Sequence, residues 1–329
     1  MAKNWKIRTD LSIEVCGHTL FRIECTQDFK EIKAGTLGGY IEKEDNLDGN
    51  AWVFGNAQVY GDAQVSGDAQ VYGYAQVYGN ARVYGDAQVY GYAQVSGDAR
   101  VSGNAQVYDN AQVYGNARVY GYAHVYGYAQ VYDNARVSGN AQVYGNAQVY
   151  GNARVSGDAR VSGNAWVYGD AWVFGYARVS GNAWVYGDAH VYGNARVSGN
   201  AQVYGNALVS GDARVYGDAR VSGDAQVSGN ACVFGDARVY GDAHVYGDEI
   251  KSKDDICYIS NRYYNITITP LHIKIDCQYH DQDAWWNFTD EQIEKMDGQS
   301  ALNFWKIWKE PLKQICDAMK KEKGEKDVK

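Results

Sequence analysis

From Gly49 to Tyr246 the chain is a single hexad, Gly-(Asn/Asp)-Ala-x-Val-(Tyr/Ser), repeated over 198 residues, or 33 times, with no insertion or deletion. Ala keeps its place from Ala51 to Ala243 and Val from Val53 to Val245, while Gly gives way only at Asp109 and Asp133. The block contains no Lys, Glu, Pro, Ile or Thr. In Ala-x-Val, alternate residues can face one side while x faces the other, as in a strand. The Gly-(Asn/Asp) step that follows tolerates the positive backbone angles of a tight corner. Each hexad is therefore a very short strand and a turn. One such strand cannot bury its own apolar side, but stacked coils can, with Ala and Val filling a narrow interior.

The outward x residues set the number of sides. At a step of 18, one column reads Gln58, Gln76, Gln94, Gln112, Gln130, Gln148, Trp166, Trp184. A second reads Arg82, Arg100, Arg118, Arg136, Arg154, Trp172, His190, and a third reads Gln70, Gln88, Gln106, His124, Gln142, then Arg160, Arg178, Arg196, Arg214. Like residues sort at 18, so each coil has three sides. The expected fold is an all-β solenoid, a three-sided parallel β-helix of about 11 coils, roughly 53 Å long at ~4.8 Å per coil. Stacked Gln amides can bond along a column, and stacked Arg guanidiniums can be offset by turn carboxylates. Tyr72, Tyr90, Tyr108, Tyr126 and Tyr144 share one edge.

The ends of such a stack need caps. Residues 1–48 are expected to form an N-terminal β-hairpin cap turning at Gly17, and 49–248 the β-helix. Residues 249–318 read as a small α+β domain and 319–329 as a charged flexible tail. In the third of these, CYISNRYYNITIT and HIKIDC read as strands separated by Pro270. Thr289-Asp-Glu-Gln292 is a capping box that opens a helix. A second helix starts near Ser300, with Leu302, Trp305, Trp308, Leu312, Ile315 and Met319 on one face and a bend at Pro311.

Val-Tyr-Gly-Asn-Ala-Arg resembles the hexapeptide repeat of left-handed parallel β-helices, and the left hand is implied by that resemblance; the general crossover rule favours the right. The segment DFKEIKAGTLGGYIEKEDNL, with its Lys-Ala-Gly-Thr-x-Gly-Gly-aromatic core at Lys33 to Tyr40, resembles the lead-in of YdcK-like hexapeptide-repeat proteins of bacteria and phages. The resemblance covers roughly the first 250 residues and brings a transferase label without a reaction. A phage-borne role against a host factor is compatible with it.

Function is read from the outward residues. Acyl-CoA-dependent acyl transfer, implied by the hexapeptide resemblance, needs a base such as His beside a cofactor slot. His124, His190 and His244 all occupy x, and no loop leaves any hexad. No catalytic residue and no cofactor are assigned. Cys16-Gly17-His18 with Cys25, and Cys277 with His280, lack two tight pairs at zinc spacing, so no metal is assigned either. The net charge of −8, with Asp outnumbering Arg in the repeats, argues against nucleic acid. Six scattered cysteines read as reduced thiols, and with no apolar leader or span the expected location is cytoplasmic, off the membrane. The stretch Ala165 to Gly187 breaks the Gln/Arg pattern with Trp166, Trp172, Phe174 and Trp184. Exposed aromatic clusters mark contacts. These four, with Tyr108 and Tyr126, are the candidate binding residues. The expectation is a non-catalytic interaction rod with a protein partner or a homo-oligomeric contact. An acyltransferase is the alternative, and a carbohydrate- or nucleotide-binding module the second.

Overall fold

A computed structural model describes residues 3–260 and 262–326. It shows an all-β solenoid of three parallel sheets, with antiparallel strands at its front, and a small antiparallel sheet followed by helices in the C-terminal region. The chain forms two compact units, Met1–Tyr192 and Gly193–Lys329. Their boundary falls inside the repeat block.

In the first unit the hexads from Gly49 to Tyr192 make eight coils. Each outward residue pairs in parallel with the residue 18 further on, as in Arg100↔Arg118 and Gln94↔Gln112. Three N–H groups per hexad reach the next coil: Arg100 N to Ala117 O at 2.9 Å, Ser102 N to Val119 O at 2.9 Å, and Asn104 N to Gly121 O at 2.8 Å. Every repeat Ala and Val is fully buried. Ala is small enough to let three sheets converge, and Val supplies the stiff β-branched side chain that strands favour.

The corners explain the glycine. Gly91 has φ 73°, and a Cβ there would lie 2.9 Å from the backbone nitrogen of Asp109 in the next coil. Asp109 and Asp133 adopt the same left-handed conformation, φ 59° and 56°. Their carboxylates accept from Gly127 N–H and Gly151 N–H one coil on, a local bond that offsets the cost.

The front cap is a hairpin of β1 (Trp5–Val15) and β2 (His18–Cys25), turning at Gly17 as expected. Its register shifts between Arg8 and Ser12. Cys16 and Gly17 both have positive φ, the requirement of a two-residue turn. Strand β3 (Leu37–Ile41) joins this antiparallel pair to the first coils, pairing Tyr40↔Gln58 and Ile41↔Val59 in parallel. The Gly-Gly of the lead-in motif sits where backbones nearly touch: a Cβ on Gly38 would lie 2.6 Å from Val53 O, and one on Gly39 2.6 Å from Ala57 O.

In the second unit, three coils from Gly193 to Tyr246 precede a four-stranded antiparallel sheet. Its strands are β4 (Cys257–Ser260), β5 (Asn265–Ile268), β6 (His272–Ile275) and β7 (Gln278–Asp281). The run CYISNRYYNITIT is thus two strands, and β7 had no apolar alternation to announce it. Helices α1 (Gln282–Asn287) and α2 (Asp290–Lys326) follow. The capping box at Thr289 and Gln292 is reciprocal, with Gln292 N–H donating to Thr289 Oγ1 and Thr289 N–H to Gln292 Oε1. α2 breaks at Asp297 and Gly298, so its second part begins beside Ser300. It continues to Lys326, and residues 327–329 of the expected tail lie outside the described residues. Ile266, Ile268, Ile273, Trp285, Ile293, Trp305 and Leu312 form this unit's own core.

Candidate functional site

The tyrosine edges are stacks. Tyr72, Tyr90, Tyr108, Tyr126 and Tyr144 follow one another with centroids 4.7–4.9 Å apart and planes within 5°. Tyr72 and Tyr90 donate to the amide oxygens of Gln88 and Gln106. Burial pushes the Tyr90 phenol up to about 12, and shifts those of Tyr108 and Tyr126 upward as well. Tyr108 and Tyr126 are therefore half-buried rungs whose ring faces are covered by their neighbours, leaving the ring edges outward. More exposed than these rungs are Tyr74, Tyr92, Tyr122, Tyr128 and Tyr176, each more than half exposed. They occupy the Asn/Asp corner position, and a Gly-Tyr-Ala in place of Gly-Asn-Ala is the signal that marks them.

Trp166 with Trp184, and Trp172 with Phe174, form two groups on two successive coils, each on its own sheet. Trp166 and Trp184 pair in register, with centroids 5.1 Å apart and planes 2° apart. At the end of the same strands, Tyr150, Tyr168 and Tyr186 stack at 4.9 Å. Around the corner, Trp172 lies 4.5 Å from Phe174, and Phe174 stacks on Tyr192 at 4.9 Å. Trp172 Nε1 donates to Ser156 Oγ, and His190 meets the Trp172 ring edge-on. The corner between the two aromatic groups carries Asp170 and Asp188, one coil apart. Asn152 donates to the Asp170 carboxylate. All four predicted residues are half-buried, so the patch is a set of ring edges and partly open faces over a rigid backbone.

The Gln column bonds along its length as the sequence suggested, Gln76 Nε2 to Gln58 Oε1 at 2.8 Å and Gln130 to Gln112 at 3.4 Å. The Arg column does not find the expected carboxylates. Arg82, Arg100, Arg118, Arg136 and Arg154 are in register and exposed, and among the described residues none forms an ion pair or a hydrogen bond. The corner carboxylates are engaged within their own columns instead: Asn80 donates to Asp98, Asn140 to Asp158 and Asn194 to Asp212. Neighbouring corners are closer to each other than to the outward guanidinium, so Asn–Asp bonding wins.

His124 lies in a Gln column, where burial lowers its pKa and the ring of Tyr108 meets it edge-on. His18 Nδ1 is 2.9 Å from Glu42 Oε1, and the Cys25 thiol donates to Gln27 O. Cys277 is exposed, and the His280 ring packs edge-on against Trp285 and Phe288. In the second unit, the fully buried Asp248 carboxylate accepts from Thr269 Oγ1 and lies 2.9 Å from His272 Nδ1, while His272 Nε2 lies 2.9 Å from Asp281. Tyr279 also donates to Asp248. No motif in the sequence marks this node. Its members lie far apart in the chain, and it holds the end of the last coil to the four-stranded sheet. No described helix is long and apolar enough to cross a membrane.

The repeat profile described as YdcK beta solenoid repeat matches the chain in thirteen segments, beginning with 57–73, 75–91 and 93–109 and ending with 213–229 and 225–241. Together they cover more than half of its length. No curated protein matches it. The chain belongs to the YdcK β-solenoid repeat family.

Proposed function

We propose that this member of the YdcK β-solenoid repeat family is a non-catalytic scaffold that engages a protein partner through its aromatic corner. The observation that carries this reading is the Trp166–Trp184 pair, two large half-buried rings in register where the six preceding residues of the column are Gln. Trp is the residue most concentrated at interface hot spots. Around the corner Trp172, Phe174 and Tyr192 extend the patch, and Asp170 and Asp188 place carboxylates between the two groups. Rings flanking carboxylates fit a partner segment that brings a Lys or Arg side chain, held by cation–π contact and charge together. The rigid coils keep the rings in place before binding, which lowers the ordering cost of association.

Trp166→Gln/Trp184→Gln tests the reading without disturbing the fold, because Gln is the residue that stacks in the six preceding places of that column. Peptide arrays carrying basic and acidic segments, probed with both proteins, give the readout. Wild type should hold basic, aromatic-containing peptides, and the variant should lose at least about tenfold in affinity. Equal binding by the variant, or no basic preference in the wild type, would sink the proposal.

A further inference from the structure

We propose that the exposed Arg ladder from Arg82 to Arg154 is a binding track for a linear acidic polysaccharide, one carrying a carboxylate on its sugar rings. Five guanidiniums stand in one line, one per coil, at the ~4.8 Å spacing that strand pairing dictates. Among the described residues none forms an ion pair. Asp45, Asp62 and Asp98 line the same hollow as Arg82 and Arg100, so the uncompensated part of the row is Arg118, Arg136 and Arg154. The corner column beside it reads Asp98, Asn116, Asn134, Asn152, Asp170, so Arg118, Arg136 and Arg154 are flanked there by neutral amides. Of the carboxylates beside these three, Asp133 accepts from Gly151 N–H, and Asp158, on the opposite corner, accepts from Asn140.

An Arg fork matches a carboxylate in two parallel hydrogen bonds, and a row of such forks reads a row of anions. An extended pyranose chain advances per ring by close to the coil spacing, so successive sugars meet successive arginines. The other flank of the ladder carries two rings among serine hydroxyls. It reads Tyr84, Ser102, Tyr120, Ser138, Ser156, with Tyr84 and Tyr120 each 40% exposed. Rings two coils apart, with hydroxyls between them, suit a polymer whose sugars present alternating faces. Single-stranded nucleic acid instead asks for a stacking ring under successive bases, and this flank does not supply one per coil. At its far end the ladder runs in register into Trp172, which closes the track with an aromatic wall.

The test is affinity electrophoresis of the full chain through gels containing polygalacturonate, with dextran, polyphosphate and oligothymidylate as parallel arms. Wild type should be retarded by polygalacturonate at low salt, less so as salt rises, and unaffected by dextran. Arg118→Gln/Arg136→Gln/Arg154→Gln should weaken retardation at least about tenfold. Gln fills the equivalent place in the neighbouring column, so the coils should remain intact by circular dichroism. If they do not, Arg136→Gln alone carries the test, with an expected loss of about threefold. Arg160→Gln/Arg178→Gln, on another face, should change nothing, and neither should Trp166→Gln/Trp184→Gln, which separates this track from the aromatic corner. The proposal is overturned if wild type is not retarded or if the triple variant behaves as wild type. It is also overturned if the control pair loses as much, or if oligothymidylate or polyphosphate binds as strongly as polygalacturonate.

Discussion

The coils and the C-terminal four-stranded domain solve the same burial problem in opposite ways. In the coils the interior is Ala and Val throughout, fully buried, and the specificity lies in the backbone: each x, Tyr/Ser and corner N–H reaches a carbonyl one coil on. Side-chain identity hardly varies from layer to layer, so register is fixed by the corners. In the C-terminal domain no layer repeats. Trp285, Trp305, Leu312 and the four buried isoleucines of β5 and β6 interlock, and one polar node, Asp248 with Thr269, His272 and Tyr279, ties the sheet to the end of the last coil. A repeating wall tolerates variation on its outside and almost none at its lining. The irregular core depends on a few large residues and on the buried carboxylate of Asp248.

That contrast can be broken most forcefully from within a coil. Val119→Asp puts an unpartnered carboxylate in a space lined only by Ala and Val, at a cost of several kcal/mol. Amide hydrogen exchange should show protection lost in the coils around residues 101–137 and kept in the four-stranded domain. A well-folded variant with full protection would refute the inward placement of Val. Leu312→Ala makes the converse cut, removing a fully buried side chain at a cost of about 2–5 kcal/mol. It should lower the unfolding midpoint reported by the C-terminal domain's amides while the first unit's amides exchange as before. Asp248→Ala is smaller, roughly 1–3 kcal/mol, because Thr269 and Tyr279 lose a buried acceptor. Exchange at β5 and β6 reports it, and unchanged protection there would show that the node is dispensable.

The smallest effect is a titration. Burial pushes the phenols of Tyr90 and Tyr132 from the usual 10.0 up to about 12. A group whose pKa is raised by folding stabilises fully below its unfolded value and loses that contribution as pH climbs through the folded one. The tyrosine ladders should therefore weaken between about pH 10 and 12, with phenolate absorbance in two phases. A single phase at 10 would show that the stacks are open to water.

How far this could be read from the chain follows the same division. The three sides, the step of 18, the inward Ala and Val and the clustered tryptophans were all legible, because translational repetition turns sequence period directly into contact. The Arg–carboxylate offset was not. Whether Asp98 faces Arg100 or Asn80 is decided by the direction of the corner, which the hexad pattern does not encode. The exposed corner tyrosines stand at the Asn/Asp place of the hexad, whereas the pattern's own rings stand at the sixth, so the period alone does not point to them. In the C-terminal domain, the capping box at Thr289 announced its helix. Strand β7 closes a two-residue hairpin on β6 without any apolar alternation over Gln278–Asp281, and the Asp248 node joins residues of separate elements, so neither carries a pattern that the sequence announces.

The pairing of every residue with the one 18 positions on has a genetic consequence. Excising Asn116 through Asp133 joins Gly115 to Asn134 and restores the same hexad, the same columns and the same corner. An exchange between misaligned copies of such a gene, in steps of 18 codons, shortens or lengthens the product by whole coils of ~4.8 Å without altering the lining. Length is thus a variable that recombination can adjust separately from fold. Related chains should differ in reach by integral steps, with their end caps unchanged.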